Sequence, residues 1–412
     1  MALACMLLLL AGSAMCQIQE KILHAFEDGS VLSGNLMFDS AGNIYGTADQ
    51  GGATGNGSVY ELSPGPAGVW NFNVLYSFTG GDDGSDPVAG LVMDGNGDLY
   101  GTTSAGGAYG SGTVFELVPS LPGQWSESVL YSFGGYPGDG AMAESGLVLD
   151  AAGNLYGTTG EGGSTNCTGG CGTVYELTSS GNGQWSESVL YSFLGGDDGY
   201  NPVYSGVVFD GQGNLYGTTA AGGSSGCHHS GCGTVYELTP SQSGGWTENI
   251  LHTFNGRDGF TPESGVVFDS LGNLYGTTEE GGTAACNTGS GGCGTVFRLS
   301  AKESGGWSLL VLHQFGGSSV GDGANPVGSL TFDQRGRLYG TTSNGGVTGS
   351  DFGSVFQLKR SGTKVVEAVF GNFGGAAGEH PNAGVILDSA GNVLSTTFSS
   401  ASDGGVVFEL TK

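Results

Sequence analysis

Basic residues are scarce in this chain: 10 Lys and Arg stand against 38 Asp and Glu in 412 residues, a formal net charge of −28. Nucleic acids and anionic membrane surfaces are bound through clustered Lys and Arg. No such cluster occurs, so both partners are excluded. Proline is also rare, at 11 residues. Gly reaches 85 without a Gly-X-Y period, which removes a collagen-like chain. The one long apolar stretch falls within the first 16 residues and is too short to span a bilayer. Neither His-Glu-x-x-His nor a P-loop is present, so chemistry that rests on those motifs is not expected.

What fills the chain instead is one pattern of about 55 residues, repeated seven times. The fourth copy reads Val189-Leu-Tyr-Ser-Phe193, a Gly/Asp loop, Ser205-Gly-Val-Val-Phe-Asp210, Asn214-Leu-Tyr-Gly-Thr-Thr219, Gly233-Thr-Val-Tyr-Glu-Leu238 and Trp246. Apolar alternation on both sides of a Gly-containing turn marks antiparallel strands A and B. That turn recurs at Asp39, Asp94, Asp150, Asp210, Asp269, Asp333 and Asp388, where Asp is read as a cap on backbone N–H groups. Strand C is the Gly-Thr-Val-Tyr-Glu-Leu segment. Strand D closes on Phe26, Phe78, Phe133, Phe193, Phe254, Phe315 and Phe373, read as core between repeats. Four short strands per repeat predict the blade of a β-propeller.

The chain begins with a lone strand D (22–26) and ends with a lone A-B-C set (384–412). Joined, they make one complete blade and leave no open sheet edge. The expectation is therefore an all-β, seven-bladed propeller, one domain over 17–412, preceded by an export signal over 1–16. Ser13-Ala14-Met15 lacks the apolar residue that opens a lipobox, so lipid on Cys16 is not expected.

Gly-Asn-Leu-Tyr-Gly-Thr-Thr (213–219), Gly-Thr-Val-Tyr-Glu-Leu (233–238) and Val-Leu-Tyr-Ser-Phe (189–193) resemble the Gloeo-Verruco (GloVer) tandem repeats of exported bacterial proteins. The Asp-x-x-Gly-Asn-Leu-Tyr hinge is more distantly similar to NHL-type propeller repeats. The resemblance implies an exported propeller and brings no activity with it. No anchor segment follows Lys412, a departure from anchored members.

Six cysteines lie beyond the leader, paired within single B–C loops: Cys167 with Cys171, Cys227 with Cys232, and Cys286 with Cys293. Even number, local pairing and an export signal point to disulfides. The rival, zinc at Cys227-His-His-Ser-Gly-Cys232, fits no familiar finger spacing, and no metal site is expected.

The crossover from strand D to the next strand A carries an acid beside Gly: Asp28, Asp83, Asp139, Asp198, Asp258, Asp322 and Glu379. Two readings stand: an acidic ring at the channel mouth, suited to calcium or cationic groups, or turn chemistry repeated because the blade repeats. Residues found in one blade only are Arg257, Glu263, Glu279 and Glu280 in blade 5, Tyr200, Tyr204, His228 and His229 in blade 4, and His380 in blade 7. His24, His252 and His313 occupy the strand-D slot of Tyr76, Tyr131 and Tyr191 and read as framework. The functional expectation is a monomeric binding scaffold, secreted, periplasmic or at the bacterial surface, taking an extracellular glycan, peptide or protein. Asp28, Asp83, Asp139, Asp198, Arg257, Asp258, Asp322 and Glu379 are the ligand candidates. The alternative is a polysaccharide hydrolase or lyase using Asp258, Glu263, Glu279 and Glu280.

Overall fold

The structure is a computed structural model that describes residues 18–121, 123–204, 206–223, 226–227, 230–241, 244–284, 286, 291–347, 351–361, 364–374, 378–400 and 404–411. Residues 1–16, where an export signal is expected, and the His228–His229 pair lie outside the described residues. Seven four-stranded antiparallel sheets form a seven-bladed β-propeller. In blade 4, strands A to D are Val208–Phe209, Leu215–Thr219, Thr234–Pro240 and Trp246–Thr253.

Local chemistry explains each word of the repeat. At the A–B hinge, Asp210 accepts the backbone N–H groups of Gln212 (2.8 Å) and Asn214 (2.9 Å), the Asn214 amide (2.8 Å) and the Tyr216 hydroxyl (3.2 Å). A carboxylate holding several N–H groups is stabilised in its charged form. These bonds hold the Asp210 carboxyl below the usual carboxylate range although burial works against them. The central Gly of strand B is required because the strand-C ring lies over it: a Cβ on Gly157 would stand 2.5 Å from the Tyr175 hydroxyl. The two threonines that follow face different partners. Thr47, Thr102, Thr218 and Thr341 donate to main-chain oxygens of the next blade, with Thr47 to Ala89 at 2.8 Å. The second threonine pairs with strand C, as Thr219 does with Thr234 at 2.8 Å.

The closing Phe of each strand D packs against the strand-C ring of the next blade, edge-on in all but the tilted Phe373–Phe408 pair. Phe78–Phe115, Phe193–Tyr236 and Phe315–Phe356 have centroids 5.0, 5.1 and 5.1 Å apart. Such pairs add about 0.5–1.5 kcal/mol beyond burial. The ring closes as expected: Gln19–Ala25 runs antiparallel to Val406–Thr411 as the outer strand of blade 7. Phe26 then meets Tyr60 of blade 1 at 5.1 Å.

Three disulfides are present, Cys167–Cys171, Cys227–Cys232 and Cys286–Cys293, with Cα atoms 5.1, 5.0 and 5.2 Å apart. They belong to an oxidising environment. No helix among the described residues is long and apolar enough to cross a membrane.

Candidate functional site

A cavity of about 550 Å³ lies where the seven blades converge. Its wall follows from register. Three residues before the buried apolar residue that leads into strand A, the seven copies carry Ser33, Val88, Glu144, Tyr204, Glu263, Val327 and Asn382, and all seven line the cavity. A second register, just after the paired threonines, adds Asp49, Glu279, Ser343 and Phe398. In these two positions the blades do not repeat one another.

The backbone beside the cavity is braced by one left-handed residue in each of blades 2 to 7. Asp86, Met142, Asn201, Thr261, Asn325 and His380 have φ between 55° and 62°. Positive φ is uncommon for non-Gly residues and costly for a β-branched one such as Thr261. Each is locked by two main-chain bonds. The Thr261 N–H reaches Cys232 O of the preceding blade (3.3 Å), and its carbonyl accepts the Glu279 N–H (2.9 Å). The same bond joins Asn201 to Cys171 and Asn325 to Cys293. The disulfide-bearing loops thus hold the segments that carry Tyr204, Glu263 and Glu279.

Four carboxyl groups share this space, and the cavity raises their pKa values. Burial, then the charges of Glu279, Glu144 and Glu280, push the Glu263 carboxyl up to about 8. Burial and nearby Glu161 and Asp49 take Glu144 to about 7. Asp49 rises to about 6, burial outweighing its bond from the Ser33 hydroxyl at 2.6 Å. Glu279 is raised by burial and by Glu280. Asp49 is only 8% exposed, and its Oδ1 has no hydrogen-bond partner among the described residues. Tyr204 is 47% exposed and at φ 53°; partial burial first, and then all four charges, push its phenol up to about 12. His380 bonds Ser343 O through Nδ1 at 2.7 Å. A carbonyl can only accept, so Nδ1 carries the proton. The Glu263 carboxyl is pushed further up than that of Asp49 within one cavity, a difference of the kind that acid–base chemistry and hydroxyl recognition both use.

Of the acids proposed from sequence, Glu263 and Glu279 line this cavity and Glu280 stands behind them, paired through its backbone with Phe260. The crossover acids do not line it. Their carboxylates fold back on their own loops: Asp28 on Ser30 and the Gly52 N–H, Asp83 on Tyr76 and Thr79, Asp139 on Tyr131 and Gly134. Asp198 likewise takes Tyr191 and Leu194, Asp258 takes His252 and Asn255, and Asp322 takes His313 and Gly316. Arg257 is exposed outside the cavity, and Glu379 is half-buried with its backbone paired to Ser399. The short Asp side chain reaches its own turn more readily than a shared centre. Sequence reading missed Glu144, Asp49, Asn382 and Phe398. Aligning the copies at the residue before strand A and the residue after strand B would have found them.

A closed seven-bladed propeller with one asymmetric axial cavity and stapled loops is the class these features define. The Gloeobacter/Verrucomicrobia repeat matches over residues 14–229, 122–285 and 227–412, and the chain belongs to that family. No curated protein matches the sequence. Among solved structures it is similar to a puromycin-hydrolysing peptidase of Mycobacterium tuberculosis, with TM-score 0.52 and 10% identity over 90% of this chain. The match takes in 50% of the peptidase, so the chain spans about half its length. A putative oxidoreductase (glucose dehydrogenase) of Thermus thermophilus matches with TM-score 0.43 and 14% identity, over 96% of this chain and 100% of that one. Likeness at these identities concerns fold alone.

Proposed function

We propose that this is an exported glycan-binding propeller whose axial cavity receives the end of a sugar chain. The carrying observation is the register that reads Ser33, Val88, Glu144, Tyr204, Glu263, Val327 and Asn382 around one cavity in an otherwise repetitive ring. Tyr204 and the 39%-exposed Phe398 offer rings for stacking on a sugar face. Asn382, Asn344 and Ser343 offer amide and hydroxyl partners, and the half-buried to buried carboxyls offer acceptors, and donors when protonated, for hydroxyls. The strained backbone of Tyr204 fits a residue held for contact. Export is supported by the three disulfides.

A second reading is favoured by the spread of carboxyl pKa values from about 6 at Asp49 to about 8 at Glu263. With Glu263 as general acid and Asp49 as base, the same cavity would cleave the chain that it binds. A glycan array probed with the full chain, followed by incubation with each bound polysaccharide, separates the two. Saturable binding that Glu263→Gln or Tyr204→Ala weakens by about tenfold or more, without new chain ends, supports the lectin. New chain ends that disappear in Glu263→Gln support the hydrolase. Binding indifferent to both substitutions sinks the cavity assignment.

A further inference from the structure

At the outer seam between blades, three other registers meet: the strand-D residue two before its closing Phe, the crossover Asp, and the next blade's strand-D residue six before its Phe. From blade 2 onward the seams combine Tyr131, Asp139 and Glu187, then Tyr191, Asp198 and Glu248. In each, the tyrosine hydroxyl donates to Asp, at 2.9 and 2.6 Å, and the Glu stands close enough to perturb the phenol. The seam leaving blade 4 has His252 and Asp258, 3.2 Å apart, but Leu309 in place of the Glu.

Only the seam between blades 5 and 6 combines an imidazole with both carboxyls. There His313, Asp322 and Glu367 each offer a ligand atom within 4.8 Å of the others, the one such group of three among the described residues. His313 Nε2 lies 3.1 Å from Asp322 Oδ2. Asp322 is fixed by the Gly316 and Gly323 N–H groups, both at 2.8 Å, so its carboxylate is positioned before any ion arrives. Glu367 Oε1 is buried and has no hydrogen-bond partner among the described residues. A buried carboxyl oxygen without a partner is costly, and the same fault recurs at Glu187 and Glu248, where no nitrogen ligand faces it.

We propose that His313, Asp322 and Glu367 bind one first-row divalent metal ion, zinc fitting best, and that the ion pins blade 5 to blade 6. One nitrogen and two carboxylate oxygens are zinc's ordinary donors, at about 2.0–2.2 Å, with a fourth position left to water. Calcium needs six to eight oxygens, and two carboxylates supply at most four. The ion takes the place of the proton between Nε2 and Oδ2, and two carboxylates with a neutral imidazole balance its charge. The donors must draw together from their present spread to about 3.3 Å apart, the edge of a zinc tetrahedron. Sequence reading treated His313 as framework because it fills a tyrosine slot; the same slot turns a hydroxyl donor into a nitrogen ligand.

The test titrates chelator-treated full chain with zinc chloride in a calorimeter. One equivalent should bind, accompanied by a rise in melting temperature. His313→Tyr and Glu367→Leu both copy residues that this fold already accepts at sister seams, so both should fold and lose more than about tenfold in affinity. Tyr191→His should build a second site with Asp198 and Glu248 and raise the stoichiometry to two. Absence of saturable zinc uptake overturns the proposal. So does uptake unchanged by His313→Tyr, or a preference for calcium over zinc.

Discussion

Asp210 and Glu263 are both acids in loops of neighbouring blades, and their surroundings treat them in opposite ways. Asp210 collects two backbone N–H groups, an amide and a phenol, and its carboxyl is held below the ordinary range. Glu263 sits in the cavity among like charges and is pushed up to about 8. The pair of backbone N–H bonds recurs at every hinge, whose register never departs from Asp, and the phenol joins them at Asp39, Asp150, Asp210 and Asp269. Glu263 belongs to a register with five residue types in seven copies. One acid stabilises the ring it belongs to, and the other is held by the ring at a cost. Where a repeat protein stops repeating, and the site stops being comfortable, is where its chemistry is to be sought.

The strongest way to break this comparison attacks the frame. Removing residues 18–27 deprives blade 7 of its outer strand and blade 1 of the Phe26 contact. The melting temperature should fall by more than about 10 °C, as loss of a whole strand implies. A melting curve like that of the intact chain would mean that the ring does not need its closing strand.

A smaller effect comes from pH. Glu127 and Glu187 at the seams are raised by burial to about 7 and Glu248 to about 8, and Glu144 and Glu263 follow in the cavity. A carboxyl whose folded pKa exceeds its unfolded value binds protons more tightly when folded. Its penalty is absent below about pH 4.5 and grows as pH rises toward 8. His24, held down by burial, opposes this weakly. The hinge acids, lowered instead, lose their contribution only below about pH 4. Melting temperature should therefore be several degrees higher at pH 5 than at pH 8.5 (roughly 2–4 °C per kcal/mol). A curve that rises toward pH 8.5 would contradict the burial of these groups.

The smallest effect is the sharpest. Asp210→Ala strands two N–H groups and should cost about 1–3 kcal/mol while leaving ligand binding intact. Glu263→Gln removes a crowded acid and should leave the melting temperature equal or slightly higher while weakening binding. If both variants move stability in the same direction, measured by thermal unfolding, the two registers do not differ as described.

The frame was legible because the blades solve one problem alike: one ring over one glycine in six of them, with Ser395 in the seventh, and one Asp under one hinge in all. Seven solutions reinforce each other in the sequence. Cysteine pairs four, five and seven residues apart were legible for the same local reason. Glu263, Glu279, Tyr204 and His380 could be singled out as exceptions. Glu144 could not be weighed without knowing which register faces the axis, and Asp49 was hidden where Thr-Thr gives way to Thr-Ala. The crossover acids stood out by recurrence. Recurrence marks what every blade needs, and the need there is a turn.

The seam between the chain's two ends has a consequence for how the molecule is made. Gln19–Ala25 finds its partner in Val406–Thr411, so the first strand of the propeller to be synthesised pairs with the propeller's last. At about 5–20 residues per second, that strand waits on the order of 20–80 s. Throughout that time six blades have two exposed edges and no way to join them. A product cut short before Val406 lacks the partner strand and keeps both edges, and open edges recruit other chains. Arrival of that closing strand, rather than formation of any earlier blade, is what separates a closed ring from an adhesive one.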